Sequence, residues 1–160
     1  MMVNTKEAID LVNYDSLCAQ LTALTDGVLY PISNLANASA LLWQELPDIN
    51  WAGFYLTEGK ILYLGPFQGK AACIEIPFGK GVCGTAAALD KTQLVPDVHA
   101  FPGHIACDSA SNSEIVVPIH KDGTVWGVLD IDSPEFGRFT EYDQAGLEQF
   151  VAILEKALFG

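Results

Sequence analysis

The sequence predicts an α+β domain in which helices pack on a central antiparallel sheet. Apolar residues recur at helical spacing near both ends of the chain, and between about residues 50 and 132 the apolar period changes to two. Asp122-Gly123, a strong short signal for a hairpin turn, separates two of the expected strands. Consecutive hairpins imply antiparallel pairing, and 160 residues, 50% of them hydrophobic, suffice for one core. We therefore expect a single domain over residues 1–160.

Three stretches carry the apolar stripe of an amphipathic helix. Asn13 or Asp15 can cap the first helix, a second is expected over residues 30–46, and Thr140, with Asp143 three residues later, can cap the last. The predicted stripes are Leu17, Leu21, Leu24 and Val28; then Ile32, Leu35, Ala36, Leu42, Trp43 and Leu46; and finally Leu147, Phe150, Val151, Leu154 and Leu158. Each stripe is expected to face the sheet.

The strands are predicted in the middle of the chain, where apolar and polar residues alternate. A short helix at residues 85–89 follows a glycine-rich stretch, and residues 97–112 form a long loop, which is usually a functional feature. The expected strands cover residues 50–56, 61–64, 71–77, 93–95, 114–120 and 125–132.

The charge balance argues against several classes of partner. Acidic residues number 20 and basic residues 8, which gives a net charge of −12. Because this charge repels phosphate backbones and anionic lipid, we expect no nucleic-acid partner and no membrane binding. Arg138 is the single arginine, so a phosphate site built from arginine forks is disfavoured. The N-terminal residues show no signal peptide, and we expect a cytoplasmic protein.

Three of the four cysteines are grouped in the middle of the chain. Cys73 falls in a predicted strand, Cys83 in the glycine-rich turn and Cys107 in the long loop, whereas Cys18 has the setting of a buried helix residue. Four cysteines are too few for a disulfide scaffold at this length. In a reducing compartment the three grouped thiols favour dithiol chemistry, and a loop thiol such as Cys107 is typically accessible for it.

Carboxylates interrupt two of the apolar strands. Asp130 and Asp132 are two residues apart, so they share one face of their strand, and Glu114 opens the neighbouring strand. Charges in apolar runs are rarely buried without a partner. These residues either cap strand ends at a solvated edge or line a pocket, where they bind a cation or donate protons from raised pKa values.

Two further motifs point to weaker alternatives. Residues 79–84 match G-x-G-x-x-G, but the strands after them pair as hairpins, so we interpret the glycines as a turn that permits close backbone approach. The possible zinc ligands lack a standard spacing and a second ligand cluster, so we expect no metal and no bound cofactor, and elemental analysis of the purified protein tests this. Those ligands are Asp97, His99, His104, Cys107 and Asp108.

Five stretches of the chain together resemble a known family. They are residues 50–55, 79–87, 95–108, 111–118 and 127–134, in which the Cys107 loop precedes the Glu114 strand. These stretches resemble the free methionine-(R)-sulfoxide reductases, which are single-domain enzymes of the GAF fold. The resemblance implies a GAF-like domain whose terminal helices pack on one face of the sheet and whose ligand-pocket loops lie on the other.

The resemblance also implies a role for each matched residue. Cys107 corresponds to the catalytic cysteine, Cys73 to the recycling cysteine and Cys83 to a third thiol that can enter disulfides. The active-site carboxylates correspond to Glu114, Asp130 and Asp132, and the aromatic pocket residues to Trp51, which packs against the substrate's methyl end, and Tyr55. The resemblance further implies a homodimer that is recycled by thioredoxin.

The implied reaction reduces free methionine-(R)-sulfoxide through a sulfenic acid on Cys107 and a disulfide with Cys73. The proton for the sulfoxide oxygen is expected from the side of Glu114 and Asp132. The alternative is a non-catalytic GAF sensor that binds a small metabolite in the same pocket. Such a sensor would keep its ligand affinity after alkylation of its cysteines.

Overall fold

The computed structural model describes residues 11–104 and 110–160. Within them lie four α-helices and six strands. The helices are α1 (Tyr14–Thr25), α2 (Pro31–Glu45), α3 (Gly81–Leu89) and α4 (Glu141–Phe159), and a single 3₁₀ turn covers Val98–Ala100. The strands are β1 (Trp51–Glu58), β2 (Ile61–Gly69), β3 (Glu75–Pro77), β4 (Gln93–Val95), β5 (Ser113–Lys121) and β6 (Thr124–Ser133).

The strands form one antiparallel sheet in the order β3-β2-β1-β6-β5-β4, which confirms the predicted fold class. The β5–β6 hairpin turns at Asp122 and Gly123, both with positive φ, as expected for this dipeptide. β1 lies inside the sheet between β2 and β6, so its residues contact both sheet faces and both neighbouring strands.

One face of the sheet packs against α2 and α4, and α1 packs against these two helices. Asn13 caps α1 through its side chain, and Thr140 and Asp143 form a reciprocal capping box at the start of α4, as the sequence predicted. α1 and α4 can approach closely because Gly146 has no side chain. A Cβ at this position would lie 2.2 Å from the ring of Tyr14. This helix face is an apolar core that includes Leu17, Leu21, Leu35, Leu42, Phe54, Ile115, Leu129, Ile131, Leu147 and Phe150.

The opposite face, here called the pocket face, is covered by α3 and by the chain around β3. A second apolar cluster lies there, and it includes Trp51, Tyr55, Leu62, Ile76, Val82, Cys83, Val116 and Val128. Because side chains alternate along a strand, β1 contributes Phe54 to the helix face and Tyr55 to the pocket face. The same sheet therefore supports two distinct environments.

Several predicted boundaries were wrong. α1 ends at Thr25 because the following residue, Asp26, adopts extended backbone angles, so Val28 lies outside the helix. In α2, Ile32 (71% exposed) and Trp43 (41%) point to solvent instead of joining the apolar stripe. The third strand covers only Glu75–Pro77, and α3 begins at Gly81, four residues earlier than expected. Among the described residues, no helix combines the length and apolarity needed to cross a bilayer.

Candidate active site

A pocket opens on the pocket face of the sheet, with an empty volume of about 560 Å³ that includes its open mouth. Six of the eight predicted site residues line it. They are Trp51, Tyr55, Cys83, Glu114, Asp130 and Asp132. Cys73 directly follows the lining residue Ala72, and Cys107 lies outside the described residues.

Strand register brings the three predicted carboxylates together. β5 and β6 pair Glu114 with Asp132, and β6 pairs Asp132 with Trp51 of β1. Asp130 lies two residues before Asp132 and therefore faces the same side. Glu114 and Asp130 are buried, so the interpretation as a solvated sheet edge is wrong for these two.

Burial and mutual repulsion control the protonation of this cluster. Burial raises the pKa of Glu114 well above its usual range, and the nearby charges of Asp130 and Asp132 raise it further. Burial also raises the pKa of Asp130, although hydrogen bonds with Glu114, Cys83 and Asp132 act in the opposite direction. Oδ1 of Asp130 is buried and accepts no hydrogen bond within the described part of the chain. The raised pKa of Glu114 favours its protonated form, and Oδ1 of Asp130 can accept a hydrogen bond from a ligand's donor.

Cys83 joins the carboxylates as a buried, free thiol. Its Sγ donates to Oε2 of Glu114 over 3.9 Å. Burial raises the pKa of Cys83 well above the ordinary value, and the charges of Asp130, Glu114 and Asp132 add to this. The thiol is therefore held protonated, which makes it a hydrogen-bond donor and a poor nucleophile.

The glycine-rich stretch permits close backbone approach, as predicted from the sequence. A Cβ at Gly84 would lie 2.4 Å from the carbonyl oxygen of Pro77, so the side-chain-free residue lets α3 sit against β3. Gly81, with a φ of +63°, donates its N–H to the carbonyl of Gly103. Gly81, Val82 and Cys83 line the pocket from the first turn of α3, where N–H groups lack intrahelical acceptors. This helix end presents partial positive charge to the pocket.

Aromatic rings form one wall of the pocket. Trp51 stacks on Tyr55 with 5.8 Å between ring centroids, and Phe67 stacks on Trp51 at 5.1 Å. Sequence reasoning missed Phe67, because the β1–β2 register shifts between Gly53 and Tyr55. The signal that could have found it is Gly53, where a Cβ would lie 2.2 Å from Cβ of Phe67.

Basic residues reach the pocket from distant parts of the chain. Lys70, Lys80 and His104 line it, and no local pattern in the sequence indicated the two lysines. Burial lowers the pKa of His104, and nearby His99 lowers it further. Arg138, in contrast, donates to the carbonyl of Pro47 and pairs with Asp143 on the other side of the sheet.

The residues considered for zinc are only partly brought together. His99 and His104 lie with ring centroids 6.3 Å apart, but Asp97 accepts the backbone N–H of His99 at 3.0 Å. Cys107 and Asp108 lie outside the described residues. Within the described ranges, the group of three metal-ligand-type side chains whose ligand atoms all lie within 4.8 Å of one another is Cys83, Glu114 and Asp130, and it contains no histidine.

Cys73 is disulfide-bonded, whereas Cys18 and Cys83 are free thiols. Cys18 is buried on the helix face, as its sequence setting indicated. Cys73 therefore differs from both in its redox state, and it adjoins the pocket wall.

Comparison with known proteins places this arrangement in a family. An antiparallel sheet with helices on one face and a pocket on the other is the GAF-domain architecture, and the GAF domain family model matches residues 6–158. The chain is 58% identical to the free methionine-R-sulfoxide reductase of Escherichia coli over 145 residues, which cover 91% of this chain and 88% of that protein. It is 48% identical to the free methionine-R-sulfoxide reductase of Saccharomyces cerevisiae over 166 residues, with 92% of each covered.

The chain is also similar to a solved structure. The fRMsr of Staphylococcus aureus in complex with substrate superposes with a TM-score of 0.89 at 51% identity, with 99% of each chain covered. The chain belongs to the GAF-domain family and, within it, to the family of the free methionine-R-sulfoxide reductases.

Proposed function

We propose that this chain reduces free L-methionine-(R)-S-oxide to L-methionine. The observation that carries the proposal is the buried carboxylate cluster, in which burial and the neighbouring carboxylates raise the pKa of Glu114 beside an aromatic wall. The similarity to the Escherichia coli and Saccharomyces cerevisiae reductases supports the same reaction and its stereochemistry.

The pocket offers a complementary group for each part of this substrate. The ammonium group is assigned to the acceptor Oδ1 of Asp130, which is buried without a donor among the described residues. The substrate carboxylate is assigned to the first turn of α3, where the helix dipole favours an anion. The methyl sulfoxide end then packs against Trp51, a surface suited to a polarizable sulfur group.

The proposed first step is attack by the thiolate of Cys107 on the sulfoxide sulfur. The sulfoxide oxygen must be protonated as the sulfur is attacked, and the neutral carboxyl of Glu114, with Asp132 opposite it in the ladder, supports proton donation from this side. The substrate S–O bond then breaks, the protonated oxygen passes to the sulfur of Cys107 as a sulfenic acid, and methionine leaves. The sulfur of Cys107 is thereby oxidised by two electrons while the substrate sulfur is reduced by two.

The proposed second step regenerates the thiol. The thiol of Cys73 attacks the sulfenic sulfur, so an S–S bond forms, the S–O bond breaks and water leaves. The disulfide at Cys73 supports this role, and the protonated, buried state of Cys83 supports a reserve role for the third thiol. An external dithiol then reduces the bond, and we propose thioredoxin as that reductant. The electrons come from thiols, so the cycle uses no bound cofactor or metal.

The setting of the enzyme is also part of the proposal. We propose that it works in the cytoplasm, where thiols are kept reduced, and that it forms a homodimer. Sedimentation or light scattering of the full chain measures the oligomeric state.

Single-turnover measurements test the function. The reduced protein is mixed with racemic methionine sulfoxide, and the epimers and methionine are resolved by chiral chromatography. We expect one equivalent of methionine from the R epimer, none from Cys107→Ser, and a wild-type yield from Cys18→Ser, whose thiol is buried on the helix face.

A normal first turnover by Cys107→Ser excludes that residue as the nucleophile. Ligand binding without any turnover in the wild-type protein shows instead a sensor, whose affinity survives alkylation of the cysteines.

A further inference from the structure

The segment that carries Cys73 is also a wall of the pocket. Residues 70–73, here called the wall segment, join β2 to β3, and Lys70, Ala71 and Ala72 line the pocket. β3 is the edge strand of the sheet, and its register against β2 spans only three residue pairs. One further backbone bond, from Leu64 N–H to the carbonyl of Ile74, follows the segment. Regular pairing therefore fixes the chain after Cys73 but not the wall segment itself.

Side chains of β1 hold both ends of the wall segment. The hydroxyl of Tyr55 donates to the carbonyl oxygen of Cys73 over 2.9 Å. The indole Nε1 of Trp51 donates to the carbonyl oxygen of Lys70 over 3.1 Å. Gly69, with a φ of +129°, allows the approach, because a Cβ there would lie 2.7 Å from Cδ1 of Trp51.

These two donors form a rigid pair. Their rings stack on each other, Phe67 stacks on Trp51, and both residues are buried on a strand inside the sheet. Burial raises the pKa of Tyr55, and the charge of Asp130 adds to this, so the hydroxyl stays protonated and remains a donor. Together with the disulfide at Cys73, these two side-chain hydrogen bonds therefore tie the wall segment to its surroundings, and both hydrogen bonds come from the sheet interior.

We propose that Tyr55 is a positioning residue for Cys73 in the disulfide-closing step, with Trp51 holding the other end of the same segment. The inference rests on the proposed function, because it concerns the second step of that cycle. The role is distinct from forming an aromatic wall for substrate, since it acts through the backbone of Cys73 and requires the hydroxyl, not the ring.

The chemistry explains why this position matters. In the closing step the thiol of Cys73 must meet the sulfenic sulfur along the line of the breaking S–O bond, and water leaves with the oxygen. Rates of such steps depend steeply on how far the two reacting groups are pre-oriented. Without the hydrogen bond from Tyr55, the backbone at Cys73 samples more orientations. Disulfide formation then slows even where attack on the substrate proceeds.

Tyr55→Phe tests the proposal, because it removes the hydroxyl and keeps the ring. Reduced protein is mixed with excess substrate and no reductant, and methionine release and disulfide formation are followed separately by quenched-flow mass spectrometry. We expect disulfide closure to slow about fivefold, the rate equivalent of one lost hydrogen bond, and the sulfenic acid captured by a cyclic dione to increase. Methionine release is expected to slow by a smaller factor.

The control is Tyr142→Phe, which removes a similar bond from a tyrosine hydroxyl to the carbonyl of Val12 at 2.6 Å, away from the pocket. It is expected to leave both steps unchanged. Trp51→Phe is the second variant, and it is expected to slow closure as well because it releases the Lys70 end.

Wild-type closure in both Tyr55→Phe and Trp51→Phe overturns the inference. So does an equal slowing of both steps, which indicates a role in substrate binding alone. Failure of the wild-type protein to release methionine overturns the proposed function instead, so the two failures are distinguishable.

Discussion

The two faces of the sheet differ in what they bury. The helix face buries aliphatic and aromatic side chains under α1, α2 and α4, and its buried carboxyl, Asp143, is paired with Arg138. The pocket face instead buries a cluster of neighbouring carboxyl groups among its apolar residues. The division runs along single strands: in β6, Leu129 and Ile131 enter the helix-face core, while Asp130 and Asp132 line the pocket. Neighbouring residues of one strand therefore differ in role: one stabilises the core and the next lines the pocket.

Apolar burial on the helix face stabilises the fold. This stabilisation compensates for the free-energy cost of burying carboxyl groups on the pocket face. Apolar burial stabilises by about 25 cal/mol per Å², whereas an unpaired buried charge destabilises, and here the charge is avoided by protonation. The raised pKa of Glu114 is the direct sign of this compromise. Variants on the two faces should therefore have opposite profiles of activity and stability.

Glu114→Gln should give the largest effect. The amide keeps the shape of the carboxyl but cannot act as an acid, so we expect methionine formation to fall about 10²- to 10⁴-fold. The temperature of thermal unfolding should be unchanged or higher, because the variant removes a buried group whose pKa is raised by burial. Single-turnover kinetics and calorimetry measure the two effects.

The matched control is Glu58→Gln at the exposed end of β1, which should change neither quantity. Wild-type kinetics in Glu114→Gln would remove the residue from the proton-donating role.

Phe54→Ala, on the opposite face of β1, should give the reverse profile. Phe54 is fully buried in the helix-face core, and truncation of such a residue costs about 3–5 kcal/mol of unfolding free energy. Urea titration measures the loss, and the fraction that remains folded should keep its turnover rate. Phe136→Ala, at a 62% exposed position, is the control and should be close to neutral. A loss below about 1 kcal/mol at Phe54 would contradict the division between the faces.

His120 gives the smallest expected effect, and it links the two layers. Its ring contacts Asp90 at the end of α3 over 2.5 Å and Glu155 of α4 over 3.1 Å. Burial alone lowers the pKa of His120, but the hydrogen bonds and charges of Asp90 and Glu155 outweigh it and raise the pKa.

Because the folded state holds this proton more tightly, the contribution of His120 is fully present below the ordinary histidine pKa. It is lost as the pH rises through the raised value. His120→Gln should therefore destabilise at acidic pH by less than about 1 kcal/mol, since the site is partly exposed, and by nothing at alkaline pH. A pH series of urea titrations checks this, and a pH-independent difference would contradict the charged clamp.

Much of the fold could be predicted because local signals agreed with the tertiary structure. The capping box at Thr140, the Asp122-Gly123 turn and the alternation in β6 are all local, and each appears as expected. The stripes of α1 and α2 were less reliable, since an apolar residue at helical spacing such as Ile32 need not meet a neighbour. Spacing shows which residues share a face and does not show how wide the covering surface is.

The site residues that share a strand or a hairpin could be predicted from the sequence. Those that reach the pocket through pairing between other strands could not. Asp130 and Asp132 share a face by the two-residue period, and Glu114 joins them through a hairpin. Phe67 and Lys70 depend on a register shift between β1 and β2, for which the sequence offers only the glycine at position 53.

Oδ1 of Asp130, which accepts no hydrogen bond from the residues that the structure describes, has a consequence for the lifetime of the protein. An amino acid whose ammonium group satisfies it binds the native chain and not the unfolded one, so by mass action saturation at 100 times the Kd adds about 2.7 kcal/mol of stability. The rate at which the protein is degraded in a cell would then depend on the supply of its own small-molecule ligands. A chain deprived of them would melt at a lower temperature and reach the proteases sooner.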